Sequence, residues 1–307
     1  MKIQLNPYIL FNLDVTLCCG QVFRWDRRHG WWYGVAKEKV FKIRQIGNNL
    51  EFENADVDFV ENYFGLCDDL SKILPQITKD KHVAQAIDAF KGLRIIHQDP
   101  LECLISYICA TYKNILAIRL MLSNLSRKFG EKVLYDSYDF HTFPTAEKLA
   151  KANVKELKKC GLGYRAEYVL ETAKKVYENK FDFEHLKRMP YEKAKTELQN
   201  FSGVGSKVAD CVLLFSLDKF EAFPVDVWIK RAILKYYANH FPNEFIEKIS
   251  GKKSPTKSEY EQLNLFGRRY FGEYAGYAQE YLYHHMRSQE KSFLTALEQK
   301  TFKLICK

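Results

Sequence analysis

Two hydrophobic periods divide the chain. Up to about residue 55, the runs QVFRWD, GWWYGVA, VFKIRQI and LEFEN are short, aromatic and β-branched, and stretches such as RRHG and GNN separate them. That pattern predicts the strands of an antiparallel sheet. From about residue 57, apolar positions recur every three or four residues, and DVDFVENYFGL, DLSKILPQI and HVAQAIDAFKGL are amphipathic helix candidates. Asp99-Pro100 then opens PLECLISYICATY, with proline in a first-turn position. Further helices are expected at about 114–129, 146–159, 164–179, 191–201, 206–217, 226–239, 257–271 and 274–289. Thr145, Ser206 and Asp226 stand where N-caps are expected, and GKKSPTKSE (251–259) reads as a polar, exposed loop. The expected architecture is α+β: a small N-terminal antiparallel β-sheet domain with helices, residues 1–95, then an all-α domain, residues 96–307.

Composition narrows the class only a little. A length of 307 residues accommodates two domains, and a net charge of +9 favours a polyanionic partner weakly. The eight cysteines (18, 19, 67, 103, 109, 160, 211, 306) form no CxxC pair and show no clustered metal-ligand spacing. Most lie among apolar neighbours, as reduced cysteines of a cytosolic core do. Asn6, Pro7, Asn12 and Asp14 interrupt any signal-peptide core, and no apolar run approaches a membrane span of about 18 residues. A cytoplasmic protein with no membrane partner is expected.

The richest stretch is LQNFSGVGSKVADCVLLFSL, residues 198–217. It reads as the end of one helix, a tight SGVG connection, and a second helix. Gly203 and Gly205 permit positive φ and close approach by another backbone. The unpaired N–H groups at the start of the second helix, beside its positive dipole end, make a phosphate site. A plain αα-hairpin would also use glycine simply to turn. Lys207 lies in that first turn, a poor place for a cation, and shares a face with Cys211 four residues on. A partly desolvated amine there favours the neutral, nucleophilic form; a snorkelling surface lysine is the alternative. Asp226, heading the helix in FPVDVWIKRAILKYY, is expected to cap it. Its carboxylate can also stabilise positive charge developing nearby. An amine and a carboxylate beside a phosphate clamp suit displacement of a base from a sugar carbon.

FSGVGSKVADC followed by PVDVW resembles the hairpin, lysine and downstream aspartate of the helix-hairpin-helix DNA glycosylase superfamily. LCCGQVFRW, QDPLECLISYIC, CGLGYRAEYV and YAGYAQEYLYHH further resemble, in order along nearly the whole chain, the matching stretches of the 8-oxoguanine DNA glycosylases. The resemblance implies a bifunctional glycosylase and abasic-site lyase acting on double-stranded DNA that contains 8-oxoguanine. The damaged base is everted, because its reacting bond is out of reach in the stack. The lysine matching Lys207 attacks C1′, displaces the base and forms a Schiff base that supports β-elimination, while Asp226 stabilises the electron-poor sugar. Gly20 matches the glycine whose carbonyl accepts from N7–H of 8-oxoguanine, and Gln279 the glutamine that reads the Watson–Crick edge. Cys211 and Tyr283 match the pair that sandwiches the ring, with Tyr in place of the usual Phe, and Phe215 extends that pocket by one turn.

DNA contacts are implied at the backbone of Gly203, Gly205 and Val208, at Tyr164 and Arg165 beside the opposite base, and around Tyr112, Asn114 and Trp228. Three departures matter here. Tyr112 falls where a hole-filling asparagine is usual, Ala117 where an arginine reads the opposite cytosine, and Trp228 where a histidine contacts phosphate. A methyl group donates no hydrogen bond, so relaxed selectivity for the opposite base is expected. No cofactor is implied as required. After Cys211 only Cys306 remains, too few for the four-cysteine iron–sulfur cluster of related superfamily members. The carbonyls of Gln199, Phe201 and Val204 match a hairpin site for a monovalent or calcium ion, and the family implies a monomer. Two alternatives stay open: a glycosylase for another damaged purine, and a non-catalytic helix-hairpin-helix DNA-binding protein.

Overall fold

The computed structural model describes residues 1–6 and 9–305, so Cys306 lies outside the described residues. A five-stranded antiparallel sheet opens the chain: β1 (Lys2–Gln4), β2 (Trp25–Arg28), β3 (Trp31–Ala36), β4 (Lys39–Ile46) and β5 (Asn49–Glu53), in the order β1-β5-β4-β3-β2. Alternation along β4 and β5 sends Phe41, Ile43, Leu50 and Phe52 to one face. There they join Trp25, Tyr63 and Phe64 in a core of their own. Gly34 pairs with Trp25 across the sheet, and a Cβ at residue 34 would overlap the indole.

The other face of the sheet is covered by an element that the hydrophobic pattern did not reveal. A two-stranded hairpin, β6 (Lys132–Tyr135) and β7 (Tyr138–His141), packs Phe140 against Tyr33, Val35 and Val40. Lys42 fastens it, reaching Glu53 at 3.2 Å and Asp136 at 2.9 Å. The N-terminal region also departs from all-strand expectation. Leu13–Cys18 is a helix, because the Asn12 side chain caps it by accepting from the Val15 N–H at 3.0 Å. Of QVFRWD only Trp25 onward is strand; Gln21 makes long-range bonds instead of a ladder.

The helical part is built around Pro100–Ala110, whose residues from Cys103 to Ala110 are all buried, and which packs on the helix Ser206–Ser216. A helix apolar all round belongs inside. The stretch expected as one helix at 146–159 breaks into Ala146–Ala150 and Val154–Leu157, since Asn153 and Glu156 form a capping box. Two short helices, Phe183–Arg188 and Asn243–Ser250, were not expected. The 251–259 segment is not wholly a loop: a helix starts at Lys257, and Glu259 is buried against Lys252 at 2.6 Å. Five cysteines are buried, whereas Cys18 and Cys67 are exposed. Among the described residues no helix is long and apolar enough to cross a membrane.

In the hairpin between Tyr191–Gln199 and Ser206–Ser216 the two glycines do different things. Gly203 has φ of +78°, and a Cβ would overlap the Tyr168 ring. Gly205 has φ of −89° and nothing within 4 Å of its Cβ position, so no internal constraint requires glycine there. Gly205, not Ser206, is the N-cap. The Ser206 hydroxyl is already engaged, donating to Glu261 at 2.5 Å and accepting from Gln199 Nε2 at 3.0 Å. Gly203→Ala is expected to lower stability by roughly 2 kcal/mol or more, through positive φ and overpacking on Tyr168. Gly205→Ala should stay within about 0.5 kcal/mol of the parent. Urea unfolding of both variants checks the contrast, and equal losses would contradict it.

Candidate active site

The hairpin, the C-terminal helix Ala275–Ile305 and the loop after Leu13–Cys18 converge on a cavity of about 840 Å³. Gly20, Lys207, Cys211, Asp226, Gln279 and Tyr283 all line it. These residues are spread from position 20 to position 283, so the fold alone brings them together.

Lys207 stands in the first turn of Ser206–Ser216, a helix with no side-chain cap. The first intrahelical bond runs from Ala209 N–H to the Gly205 carbonyl at 3.0 Å. The N–H groups of Ser206, Lys207 and Val208 therefore precede the ladder beside the cavity. The Lys207 amine has no carboxylate oxygen within 4.0 Å among the described residues. Its charge is nevertheless felt by both neighbours. Burial pushes the Cys211 thiol up to about 12, with Lys207 opposing, so Cys211 presents a neutral thiol. Burial likewise raises the Asp226 carboxyl, and the nearby Lys207 charge and two backbone N–H bonds hold it down.

Asp226 caps the helix Val227–Tyr236 as expected, and both bonds fall on one oxygen. Oδ1 accepts from the N–H groups of Trp228 and Ile229, each at 2.9 Å. No protein donor is bonded to Oδ2 among the described residues. The side chain thus caps a helix with one oxygen and keeps the other for the cavity.

The opposite wall carries buried polar groups with unmet capacity. Gln279 is buried, and its Oε1 has no hydrogen-bond partner; the same holds for Oε1 of its neighbour Glu280. A buried acceptor without a donor costs about 1–3 kcal/mol, which favours a ligand that brings donors. Burial pushes the Glu280 carboxyl up to about 7, against the pull of the Cys19 thiol and Arg287. Gly20 faces this wall with φ of +110°, and a Cβ there would overlap Nη1 of Arg287. Phe215 stacks on Tyr107, ring centroids 5.6 Å apart, and both line the cavity.

Residues expected at the DNA surface divide into several groups. Tyr112 is 80% exposed at the rim, at φ of +56°, in the turn between Pro100–Ala110 and Ile115–Phe129. Asn114 caps the second of these helices, accepting from Ala117 N–H at 2.9 Å. Trp228 is half-buried at the rim, with the Arg231 guanidinium 4.8 Å from its ring. Tyr164 is half-exposed but outside the cavity wall. Arg165, by contrast, is not on the open surface: it is buried and donates to the Thr111 carbonyl, bracing the Tyr112 turn from below.

Sequence reading missed Tyr107, Glu280, Arg287 and the 78%-exposed Leu116, all of which line the cavity. Signals existed for two of them. Glu280 and Arg287 are charges two turns apart on a helix otherwise flanked by apolar and aromatic positions. Among the described residues no group of three His, Cys, Asp or Glu could hold a metal ion. At the hairpin, the Phe201 carbonyl already accepts the Val204 N–H at 3.1 Å. A carbonyl oxygen has a second lone pair, which that bond leaves open.

Comparison with known proteins agrees with this geometry. Residues 3–104 match the family model of the 8-oxoguanine DNA glycosylase N-terminal domain, and residues 105–253 that of the HhH-GPD superfamily base excision DNA repair proteins. The N-glycosylase/DNA lyase of Saccharomyces cerevisiae is 35% identical, covering 92% of this chain and 85% of its own length. N-glycosylase/DNA lyase OGG1 of Arabidopsis thaliana is 30% identical, covering 95% and 82%. The Clostridium acetobutylicum 8-oxoguanine glycosylase/lyase, solved with double-stranded DNA carrying cytosine opposite 8-oxoguanine, superposes with a TM-score of 0.81 at 32% identity. That match covers 91% of this chain and 93% of that one. With both family models matched in tandem around a cavity that holds Lys207 and Asp226, the chain belongs to the 8-oxoguanine DNA glycosylase family of HhH-GPD base excision repair proteins.

Proposed function

We propose that this protein excises 8-oxoguanine from double-stranded DNA and cuts the strand at the resulting abasic site. The observation that carries the reading is the placement of Lys207 on the cavity beside Asp226, at a helix N-terminus with no side-chain cap among the described residues. Cys211, the other nucleophile type nearby, is held as a thiol. Lys207 Nζ attacks C1′ of the everted nucleotide, the C1′–N9 bond breaks, and the base leaves with the bonding electrons and takes a proton. Opening of the sugar ring leaves an imine between Nζ and C1′. Loss of a proton from C2′ then expels the 3′ phosphate, which is β-elimination. Oδ2 of Asp226, without a protein donor among the described residues, supports the electron-poor sugar as the base departs.

Recognition falls to the opposite wall. The Gly20 carbonyl accepts from N7–H of 8-oxoguanine, and guanine would present a lone pair there, a mismatch of about 1–3 kcal/mol. The unpartnered Oε1 of Gln279 takes N–H donors of the Watson–Crick edge. Cys211 and Tyr283 flank the ring, and the Phe215–Tyr107 stack closes the far side. The N–H groups ahead of Ala209 bind phosphate together with Gly205, whose open side admits a close backbone. Carbonyls of Gln199, Phe201 and Val204 hold a monovalent or calcium ion at the hairpin. Tyr112 fills the vacated stack, steadied by Arg165 through Thr111, and Tyr164 wedges beside it. Ala117 offers no donor to the opposite base, so selectivity there is relaxed.

Lys207→Gln should still shift lesion DNA in a gel yet yield no adduct on borohydride trapping; a persisting adduct would move the nucleophile elsewhere. Excision from duplexes with C, T, G or A opposite 8-oxoguanine should differ by less than roughly tenfold, since no bidentate reader worth 1–3 kcal/mol stands at residue 117. Cleavage confined to the C duplex would refute this. Glu280 gives a pH-dependent stability test. Its folded value of about 7 lies above the ordinary carboxylate range, so the native state holds the extra proton. That contribution is full below about pH 4.5 and is lost as pH rises through about 7. Glu280→Gln stays neutral throughout, so its stability relative to the parent should grow between pH 5 and 8.5, by up to about 3 kcal/mol. A difference that stays flat across that range in denaturant titrations would exclude a buried, protonated Glu280.

A further inference from the structure

We propose that Arg287 is a positioning residue for base recognition, locking the Gly20 peptide and the Tyr283 ring into one rigid pocket wall. The Arg287 side chain is buried in the cavity wall, with 8% exposure. Nη2 donates to the Cys18 carbonyl at 2.6 Å and lies 3.2 Å from Nδ1 of His284. Nη1 donates to the Tyr283 hydroxyl at 3.2 Å, and the guanidinium carbon sits 5.2 Å from the Tyr283 ring centroid. One group therefore touches both the loop that carries Gly20 and the Tyr283 ring. Cys18 and Arg287 are 269 positions apart, so this contact joins the N-terminal loop to the C-terminal helix.

Two features argue that this is more than packing. A buried guanidinium is normally paired with a carboxylate, because its desolvation is expensive. Arg287 has no carboxylate oxygen within 4.0 Å among the described residues. Its N–H groups go instead to one backbone carbonyl, one ring hydroxyl and the His284 ring nitrogen. Charge-assisted bonds of this kind are stronger and more directional than neutral ones. The second feature is Gly20 itself. Its φ of +110° is a conformation that side chains other than glycine rarely adopt, and a glycine peptide is free to rotate. The Nη1 atom occupies the space where a Cβ would stand, so Arg287 supplies the lateral restraint that glycine lacks. A carbonyl that must distinguish N7–H from a bare N7 needs its direction held.

The inference rests on the reading of Gly20 and Tyr283 given above, and its test separates the two. Single-turnover excision of 8-oxoguanine is compared with β-elimination on a preformed abasic duplex, which has no base to recognise, in the parent and in Arg287→Ala, Arg287→Met and Arg287→Lys. The ratio of excision to elimination should fall about tenfold in the Ala and Met variants. Lys should recover part of it, since an ammonium reaches the Cys18 carbonyl but cannot fork to the Tyr283 hydroxyl as well. Variants that slow both reactions in proportion, or neither, overturn the positioning role while leaving the substrate reading intact. A parent protein that cleaves abasic DNA but leaves 8-oxoguanine in place overturns the substrate reading, and this inference with it.

Discussion

One buried amide holds the two cores in register. Gln21 donates from Nε2 to the Arg94 carbonyl at 2.8 Å and accepts the Ile96 N–H on Oε1 at 2.7 Å. Its own carbonyl accepts from Gln98 Nε2 at 2.8 Å and from the Tyr107 hydroxyl at 3.3 Å. The chain around it feeds both cores alternately: Cys19 and Phe23 pack into the helical core, Val22 and Trp25 into the sheet core. Arg94 completes the stitch, donating to the Leu10 and Asp68 carbonyls at 2.9 Å each. In a low-dielectric interior such a network is all or nothing, because losing one member leaves the others buried and unpaired. Gly20 is the residue next to this anchor, so the proposed reader of the base sits beside a firmly tied point of the seam between sheet and helices.

The same contrast explains what was legible in the amino-acid sequence. Strand and helix periods report which face of an element is buried, and β3 to β5 and the helices Pro100–Ala110, Ile115–Phe129, Ser206–Ser216 and Lys257–Phe271 followed them closely. Hairpin glycines, Lys207 and Asp226 were legible because their chemistry depends on positions in the first turns of helices, a local property. Gly20 and Gln279 were not legible that way. A turn glycine and a helical glutamine carry no local sign of chemistry, and only the resemblance to a family carried them. The β6–β7 hairpin was missed for a related reason: its four-residue strands bury little beyond Phe140, and their partner is the face of a distant sheet. Leu13–Cys18 was misread because a single Asn12 cap overrode a β-like neighbourhood.

Tyr112 and Arg165 add a tension between local and tertiary demands. A non-glycine residue at φ of +56° is strained, and Tyr112 is also largely exposed, so nothing in its own side chain holds it there. The Arg165 guanidinium on the preceding carbonyl, Thr111, and the Asn114 cap on the following helix fix the turn from both ends. A strained, braced and exposed aromatic ring at the cavity rim fits a group that must enter a stack without reorganising.

Two of the helix N-termini that line the cavity are finished in opposite ways. Val227–Tyr236 is closed by the Asp226 carboxylate, whereas Ser206–Ser216 begins at Gly205 with no side chain over its N–H groups. A lysine in the first turn of the open helix is unfavourable by about 0.3–1 kcal/mol, since it adds positive charge to the positive dipole end. The capped helix answers that cost, because its carboxylate lies close enough for Lys207 to hold down the Asp226 proton affinity. Neither end is therefore electrostatically complete alone. The open one attracts an anion, and the closed one supplies the negative charge that any cation forming between them requires. On the proposed reading, exchanging the two finishes, a carboxylate cap at Gly205 and a glycine at Asp226, would repel phosphate and leave the sugar cation unsupported. On the proposed reading, the asymmetry of these two caps, together with the lysine, is what suits the αα-hairpin to breaking a glycosidic bond.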